Sequence, residues 1–184
     1  MQNITKHLLQ QDPTLQTVFS AVDFEKAVKF RPPYVALLGA IIGQRISYQQ
    51  ARSLRGQLYK ACGEDFHWST IQKENLSFLP VHVLAIITNV NSYLKEKPKD
   101  YLDNKDNIRS LQSIKGIGPW TIDTTLLSCG LDLDIFPTGD LFINKRIRKL
   151  YNLEKNPTPK QIELMSNKWK PYRGYVAWYF WRWF

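Results

Sequence analysis

Leu111-Gln-Ser-Ile-Lys-Gly-Ile-Gly-Pro-Trp-Thr121 and, downstream of it, Ile135-Phe-Pro-Thr-Gly-Asp140 are the most specific stretches of this chain. The first has the composition of a hairpin between two helices that presents backbone amides to a phosphate. Gly116 and Gly118 can take positive φ and carry no Cβ, so the backbone can approach an anion closely. Ile117 between them can turn inward and pin the hairpin to the core. Pro119 suits the first position of the next helix, where a missing N–H costs nothing. The remaining N–H groups then face outward with the positive end of the helix dipole behind them. Lys115 adds a point charge, and carbonyls of the turn offer a place for a monovalent cation bridging to the phosphate. The competing reading of Gly-x-Gly alone is a glycine C-cap joining two packed helices. A dinucleotide fingerprint is excluded, because no strand precedes the motif and the third glycine is absent.

Outward from the hairpin, apolar residues recur at three- and four-residue spacing and no stretch alternates with period two, so the chain is expected to be all-α. The pattern predicts helices over Pro13 to about Lys26, Tyr34–Gly43, from the N-cap Ser47 to Gly63, and Pro80–Leu94. Trp68-Ser-Thr is expected to cap another short helix. After a charged loop at 95–103, helices follow at Asn104–Ser113, Pro119–Cys129, Asp140–Tyr151, Pro159–Trp169 and Arg173–Phe184. The expected organisation is a single domain of two helical lobes over 1–184. A second lobe at about 104–150 would carry the hairpin and the Asp140 loop, with an active site in the cleft between lobes.

A chain of 184 residues, 43% of them hydrophobic, is long enough to bury a core without disulfides. Its formal charge of +9 makes a polyanionic partner plausible. The excess is concentrated: residues 139–184 hold Lys145, Arg146, Arg148, Lys149, Lys155, Lys160, Lys168, Lys170, Arg173 and Arg182 against only Asp140, Glu154 and Glu163. Cys62 and Cys129 have no metal-ligand spacing and fit a reducing, intracellular setting. The start lacks a signal-peptide hydrophobic stretch, and the apolar run at Val35–Ile42 is too short for a bilayer. A soluble monomer with no membrane contact and no metal held by side chains is the expectation. His67 and His82 stand alone in the sequence and read as surface or packing residues.

With both motifs in register, the chain resembles the helix-hairpin-helix DNA glycosylase superfamily, in particular its 3-methyladenine DNA glycosylase II branch. The similarity runs from about Tyr34 to the C-terminus. It is strongest at 111–150 and at Trp169-Lys-Pro-Tyr-Arg-Gly-Tyr-Val-Ala-Trp-Tyr-Phe-Trp181. The resemblance implies double-stranded DNA with a damaged base as partner, and no cofactor beyond the monovalent cation. It makes Asp140 the catalytic carboxylate, which stabilises an oxocarbenium-like transition state and assists water at C1′. Read alone, Asp140 is an N-cap, and both roles can hold together. The acids Asp123, Asp132 and Asp134 lack the loop context and read as solvated or capping.

The resemblance gives Trp120 and Trp181 to the base pocket, with Thr124 where relatives often carry an aromatic. It gives the hairpin residues Lys115, Gly116, Ile117, Gly118 and Thr121 to DNA binding. Gln44 and Arg45 fall in the loop from which relatives plug the gap left by an extruded base. Arg45 is therefore either that wedge or a surface arginine on phosphate. Trp120 occupies the position of the lysine that forms a Schiff base in strand-cutting branches. The implied enzyme is monofunctional, excising alkylated purines such as 3-methyladenine and 7-methylguanine in base excision repair and leaving an abasic site. The alternatives are a glycosylase for deaminated or mismatched bases and a non-catalytic helix-hairpin-helix DNA-binding module.

Overall fold

The structure, a computed structural model, describes residues 2–23, 28–69, 71 and 76–183. Every regular element among them is helical, as the apolar spacing predicts. The helices are α1 (Gln2–Gln11), α2 (Gln16–Ala21), α3 (Pro33–Ile42), α4 (Tyr48–Cys62), α5 (Val81–Leu94), α6 (Lys105–Ser110), α7 (Pro119–Cys129), α8 (Leu141–Leu150), α9 (Pro159–Ser166) and α10 (Arg173–Arg182). Helix α1 was not expected, because its sequence is mostly Gln, Asn, Thr and Lys and buries little beyond Leu8. The helix expected after Trp68 falls on residues that lie outside the described ones. None of the helices is long and apolar enough to cross a membrane.

The chain forms two compact units, one made of residues 30–131 and the other of 1–29 with 132–184. The division runs through the 104–150 stretch expected to form one lobe, so the hairpin and Asp140 belong to different units.

In the 30–131 unit, α3 is buried on every face from Tyr34 to Ile42 and packs chiefly against α7. The two run antiparallel. At one end the Arg31 N–H donates to the Ser128 carbonyl at 2.9 Å, and at the other Gln44, just past α3, reaches Gly116 and Thr121 at the start of α7. Arg55 of α4 closes the C-terminal end of α3, its Nε donating to the Gly39 carbonyl at 2.9 Å, a favourable place for a cation.

The other unit is organised around aromatics. Trp169 and Phe180 are fully buried, and Phe136 packs on both, with ring centroids 5.1 and 6.4 Å away. Asp12, 3% exposed, ties the N-terminal segment to this core. Its Oδ2 accepts from the Tyr151 hydroxyl, from Trp169 Nε1 at 2.9 Å and from Lys168 Nζ at 2.9 Å.

Candidate active site

Phe136 is the anchor from which the Pro137–Asp140 loop departs. The loop turns through a bond from the Asp140 N–H to the Pro137 carbonyl at 2.9 Å, which delivers Asp140 to the N-cap of α8. The side chain is 6% exposed. Its Oδ1 accepts from the Phe142 and Ile143 N–H groups, both at 2.9 Å, and its Oδ2 accepts from Trp181 Nε1 at 3.0 Å. Three N–H donors therefore fix one rotamer of the carboxylate, at a helix N-terminus that favours negative charge. Trp181 is half-buried, whereas Trp169, Trp178 and Trp183 are core. The indole bond to Asp140 spans α8 and α10 and carries no local sequence signal.

Arg146, on the same helix, is in the sequence only one of the basic residues of the C-terminal quarter. Its Nε donates to the Trp183 carbonyl, and its guanidinium lies 3.3 Å from the centroid of the Phe142 ring. Burial pulls its pKa down to about 10, against the opposing pull of the Asp140 charge. A partly desolvated cation thus stands within electrostatic reach of the acid. Two buried polar atoms of this region, Asn144 Oδ1 and Trp178 Nε1, have no hydrogen-bond partner among the described residues. Trp178 packs edge-on against Trp181 with centroids 5.3 Å apart.

In the 30–131 unit the hairpin is a turn of unequal glycines. Gly116 has φ +97, and a Cβ there would lie 2.6 Å from Ile86 Cγ1 of α5, so it is glycine for conformation and for packing. Gly118 is extended and caps α7, and a Cβ on it would meet nothing within 4 Å. Its N–H makes no hydrogen bond among the described residues, and its open side is where a phosphate can come closest. Lys115 is exposed beside it.

Two residues assigned to DNA by resemblance have inward roles. Ile117 is 5% exposed and its N–H donates to the Ile114 carbonyl at 3.0 Å, so it pins the turn and its amide is occupied. Thr121 is 2% exposed and its Oγ1 accepts from Gln44 Nε2 at 2.9 Å. On the same helix, Trp120 is half-buried, and Thr124 is buried with its hydroxyl unpartnered among the described residues.

The other candidates resolve into structural roles. Asp134 is not a solvated acid: its carboxylate takes Arg173 Nε at 2.9 Å and Nη2 at 3.2 Å, fastening the loop to the start of α10. Asp132 caps the same turn, accepting from the Asp134 N–H at 3.1 Å. His67 bonds Ser69 and the Lys99 carbonyl. Burial raises the Cys62 thiol and pushes that of Cys129 up to about 11, which keeps both on the thiol side. No three His, Cys, Asp or Glu side chains among the described residues converge as metal ligands.

Superposed on solved structures, the chain matches a 3-methyladenine DNA glycosylase from Schizosaccharomyces pombe (Mag1), solved in complex with abasic DNA. The TM-score is 0.76 at 21% identity, covering 98% of this chain and 95% of that one. The chain has the fold of the helix-hairpin-helix DNA glycosylases. Among the sequence relatives of the chain is a DNA-3-methyladenine glycosylase from Bacillus subtilis, 27% identical over 172 residues and covering 81% of this chain. Another is the alkylbase DNA glycosidase-like protein mag2 of Schizosaccharomyces pombe, 23% identical over 165 residues, 82% of this chain and 77% of that protein. The chain spans only 56% of the length of the Bacillus relative. No protein-family model matches it.

Within this glycosylase fold, Asp140 and Trp181 come together in one unit, and Gln44, Gly116 and Thr121 come together in the other.

Proposed function

We propose that the protein is a monofunctional DNA glycosylase that extrudes an alkylated purine from duplex DNA and hydrolyses its N-glycosidic bond, leaving an abasic site. The observation that carries this reading is the buried carboxylate of Asp140, held by Trp181 and two backbone amides at the start of α8. The glycosylase fold and the names of the sequence relatives point the same way.

When the C1′–N bond breaks, its electron pair stays on the base. A 3- or 7-alkylated purine carries positive charge and leaves as a neutral molecule, so little acid help is needed. The sugar becomes oxocarbenium-like at C1′, where a fixed negative charge lowers the barrier. Water then adds to C1′ and gives up a proton; help of this kind from a carboxylate contributes typically ~10²–10⁴-fold. Trp120 has no amine and forms no imine, so water is the nucleophile and the strand stays intact. Electron-rich indoles favour a cationic base over a neutral one, an attraction of ~0.5–2 kcal/mol. The hairpin takes a backbone phosphate through the Gly118 amide, with Lys115 and a monovalent cation on the turn carbonyls adding charge. Arg45 is the wedge that fills the space left by the extruded base, offsetting unstacking of about a few kcal/mol. The enzyme acts as a monomer inside the cell.

The direct test incubates the protein with methylated duplex DNA and separates the released bases by chromatography, beside duplexes carrying hypoxanthine or uracil. Free 3-methyladenine and 7-methylguanine should appear first, in a strand that breaks only after alkali, with no adduct trapped by borohydride. Faster release of uracil or hypoxanthine would favour a deaminated-base glycosylase. Tight duplex binding with no base released would leave a non-catalytic DNA-binding module.

A further inference from the structure

In the loop between α3 and α4, the Gln44 side chain bonds the hairpin and the start of α7. Gln44 donates from Nε2 twice, to the Gly116 carbonyl at 2.9 Å and to Thr121 Oγ1 at 2.9 Å, so both amide hydrogens are committed to the hairpin and the first turn of α7. The next residue, Arg45, has φ +57, a left-handed conformation that a residue other than glycine keeps only when its surroundings impose it. Those surroundings are firm on both sides. Upstream, the Gly43 N–H closes α3 on the Gly39 and Ala40 carbonyls, and a Cβ on Gly43 would lie 2.6 Å from Arg55 Nη2. Downstream, Ser47 and Gln50 form a reciprocal capping box at the start of α4. Arg45 itself is exposed and makes no hydrogen bond or ion pair among the described residues. Its direction is therefore set by its neighbours and not by a contact of its own.

We propose that Gln44 is a positioning residue that locks the Arg45 turn onto the hairpin, so that docking of a phosphate on the hairpin and entry of Arg45 into the duplex are one coupled event. This rests on the glycosylase reading for the role of Arg45. The Gly116 carbonyl bonded by Gln44 belongs to the residue with φ +97, two positions before the open amide of Gly118. A hairpin seated on the backbone thus holds Arg45 in one place relative to the strand. Without the clamp, the hairpin still binds phosphate, while Arg45 is free to relax out of its left-handed conformation and loses its aim.

The test separates docking from insertion without any chemistry. Fluorescence anisotropy on an undamaged duplex reads docking. A duplex with a tetrahydrofuran abasic analogue beside 2-aminopurine reads insertion, through the rise in fluorescence when the neighbour unstacks. Gln44→Met keeps length and neutrality and removes both donors. It should bind the undamaged duplex within about threefold of wild type yet lose about tenfold of its insertion equilibrium, the size expected for neutral hydrogen bonds left unmade. Arg45→Ala should show the same split, and the double variant should be no worse than Arg45→Ala alone, because the two act as a unit.

Wild-type fluorescence from Gln44→Met, additive losses in the double variant, or an equal loss on both duplexes would overturn the coupling and leave Gln44 as scaffold. Should Gln44→Met not fold, Thr121→Val removes one of the two acceptors at nearly constant shape and should give a smaller loss of the same kind. The two readings fail separately. A wild-type protein that unstacks the probe but releases no methylated base defeats the glycosylase reading alone. One that releases base while Gln44→Met inserts normally defeats the coupling alone.

Discussion

Asp140 has the local geometry of an ordinary helix cap until Trp181 is added to it. The two backbone amides on Oδ1 are what any N-cap aspartate gathers, and the indole N–H on Oδ2 is what the Phe-Pro-Thr-Gly-Asp motif cannot supply. On the proposed glycosylase reading Trp181 has two separable properties, a donor to the acid and an aromatic face for a cationic base. Trp181→Phe keeps most of the face and loses the donor. Its rate should fall about ten- to a hundredfold on every lesion, the worth of a hydrogen bond to a charged group, with the preference for cationic lesions retained. Trp181→Leu loses both, and should reduce that preference as well. Single-turnover excision of 7-methylguanine and hypoxanthine from matched duplexes distinguishes the two. At this scale the motif residues were legible in the sequence, because a glycine, a proline and an aspartate in fixed order dictate local geometry. Their partners were not, since Trp181 and Gln44 reach across 41 and 72 residues with no periodic signal to join them.

The antiparallel pair of α3 and α7 is the element on which the hairpin is mounted. A continuous apolar run made α3 readable as a central helix, and Pro119 made the start of α7 readable. Helix α1 is not legible in the sequence, because ten residues with so few apolar positions show no period. The hairpin glycines, equivalent in the sequence, part company in the structure, and this sets a prediction. Gly118→Ala should leave the melting temperature nearly unchanged, since its methyl meets nothing, and on the proposed reading should weaken binding to all duplexes alike, because a phosphate contact reads no base. Gly116→Ala should instead destabilise the fold by about 1–2 kcal/mol or more, because alanine resists a positive φ and the methyl meets Ile86. Thermal melts beside anisotropy titrations of both variants check the division. A Gly118→Ala protein that loses affinity only for damaged duplexes would contradict a backbone role.

Across the whole molecule the basic excess is less available than the sequence suggested. Lys168 is spent on buried Asp12 and Arg173 on Asp134, while Arg146 is turned onto Phe142 and the Trp183 carbonyl. Asp12 also carries a pH dependence. Burial by itself would raise its pKa, but the bonds from Tyr151, Lys168 and Trp169 and the charge of Lys168 outweigh burial and hold it below the usual aspartate range. A carboxylate with a depressed folded pKa contributes stability that is present above its unfolded pKa and is lost as pH falls through the lower folded value. Melting temperature should therefore drop on the acid side of that point. Asp12→Asn should flatten this limb while costing on the order of 2 kcal/mol at neutral pH, less than a fully buried pair because Lys168 is partly exposed. An unchanged acid limb in Asp12→Asn would remove Asp12 from the pH response.

The claim that binds these scales together is that the charge of Asp140 does chemistry beyond capping α8. Asn is as good an N-cap as Asp, so Asp140→Asn preserves the helix and removes the charge, at the cost of setting an amide against the Trp181 N–H. Base release from methylated duplex DNA, measured alongside affinity for the same duplex, is the decisive comparison between Asp140→Asn and the wild type. Excision should fall by at least ~10²–10⁴-fold while affinity stays within a few-fold, because a transition-state charge is lost and no phosphate contact is. Excision at the wild-type rate by Asp140→Asn would contradict the account.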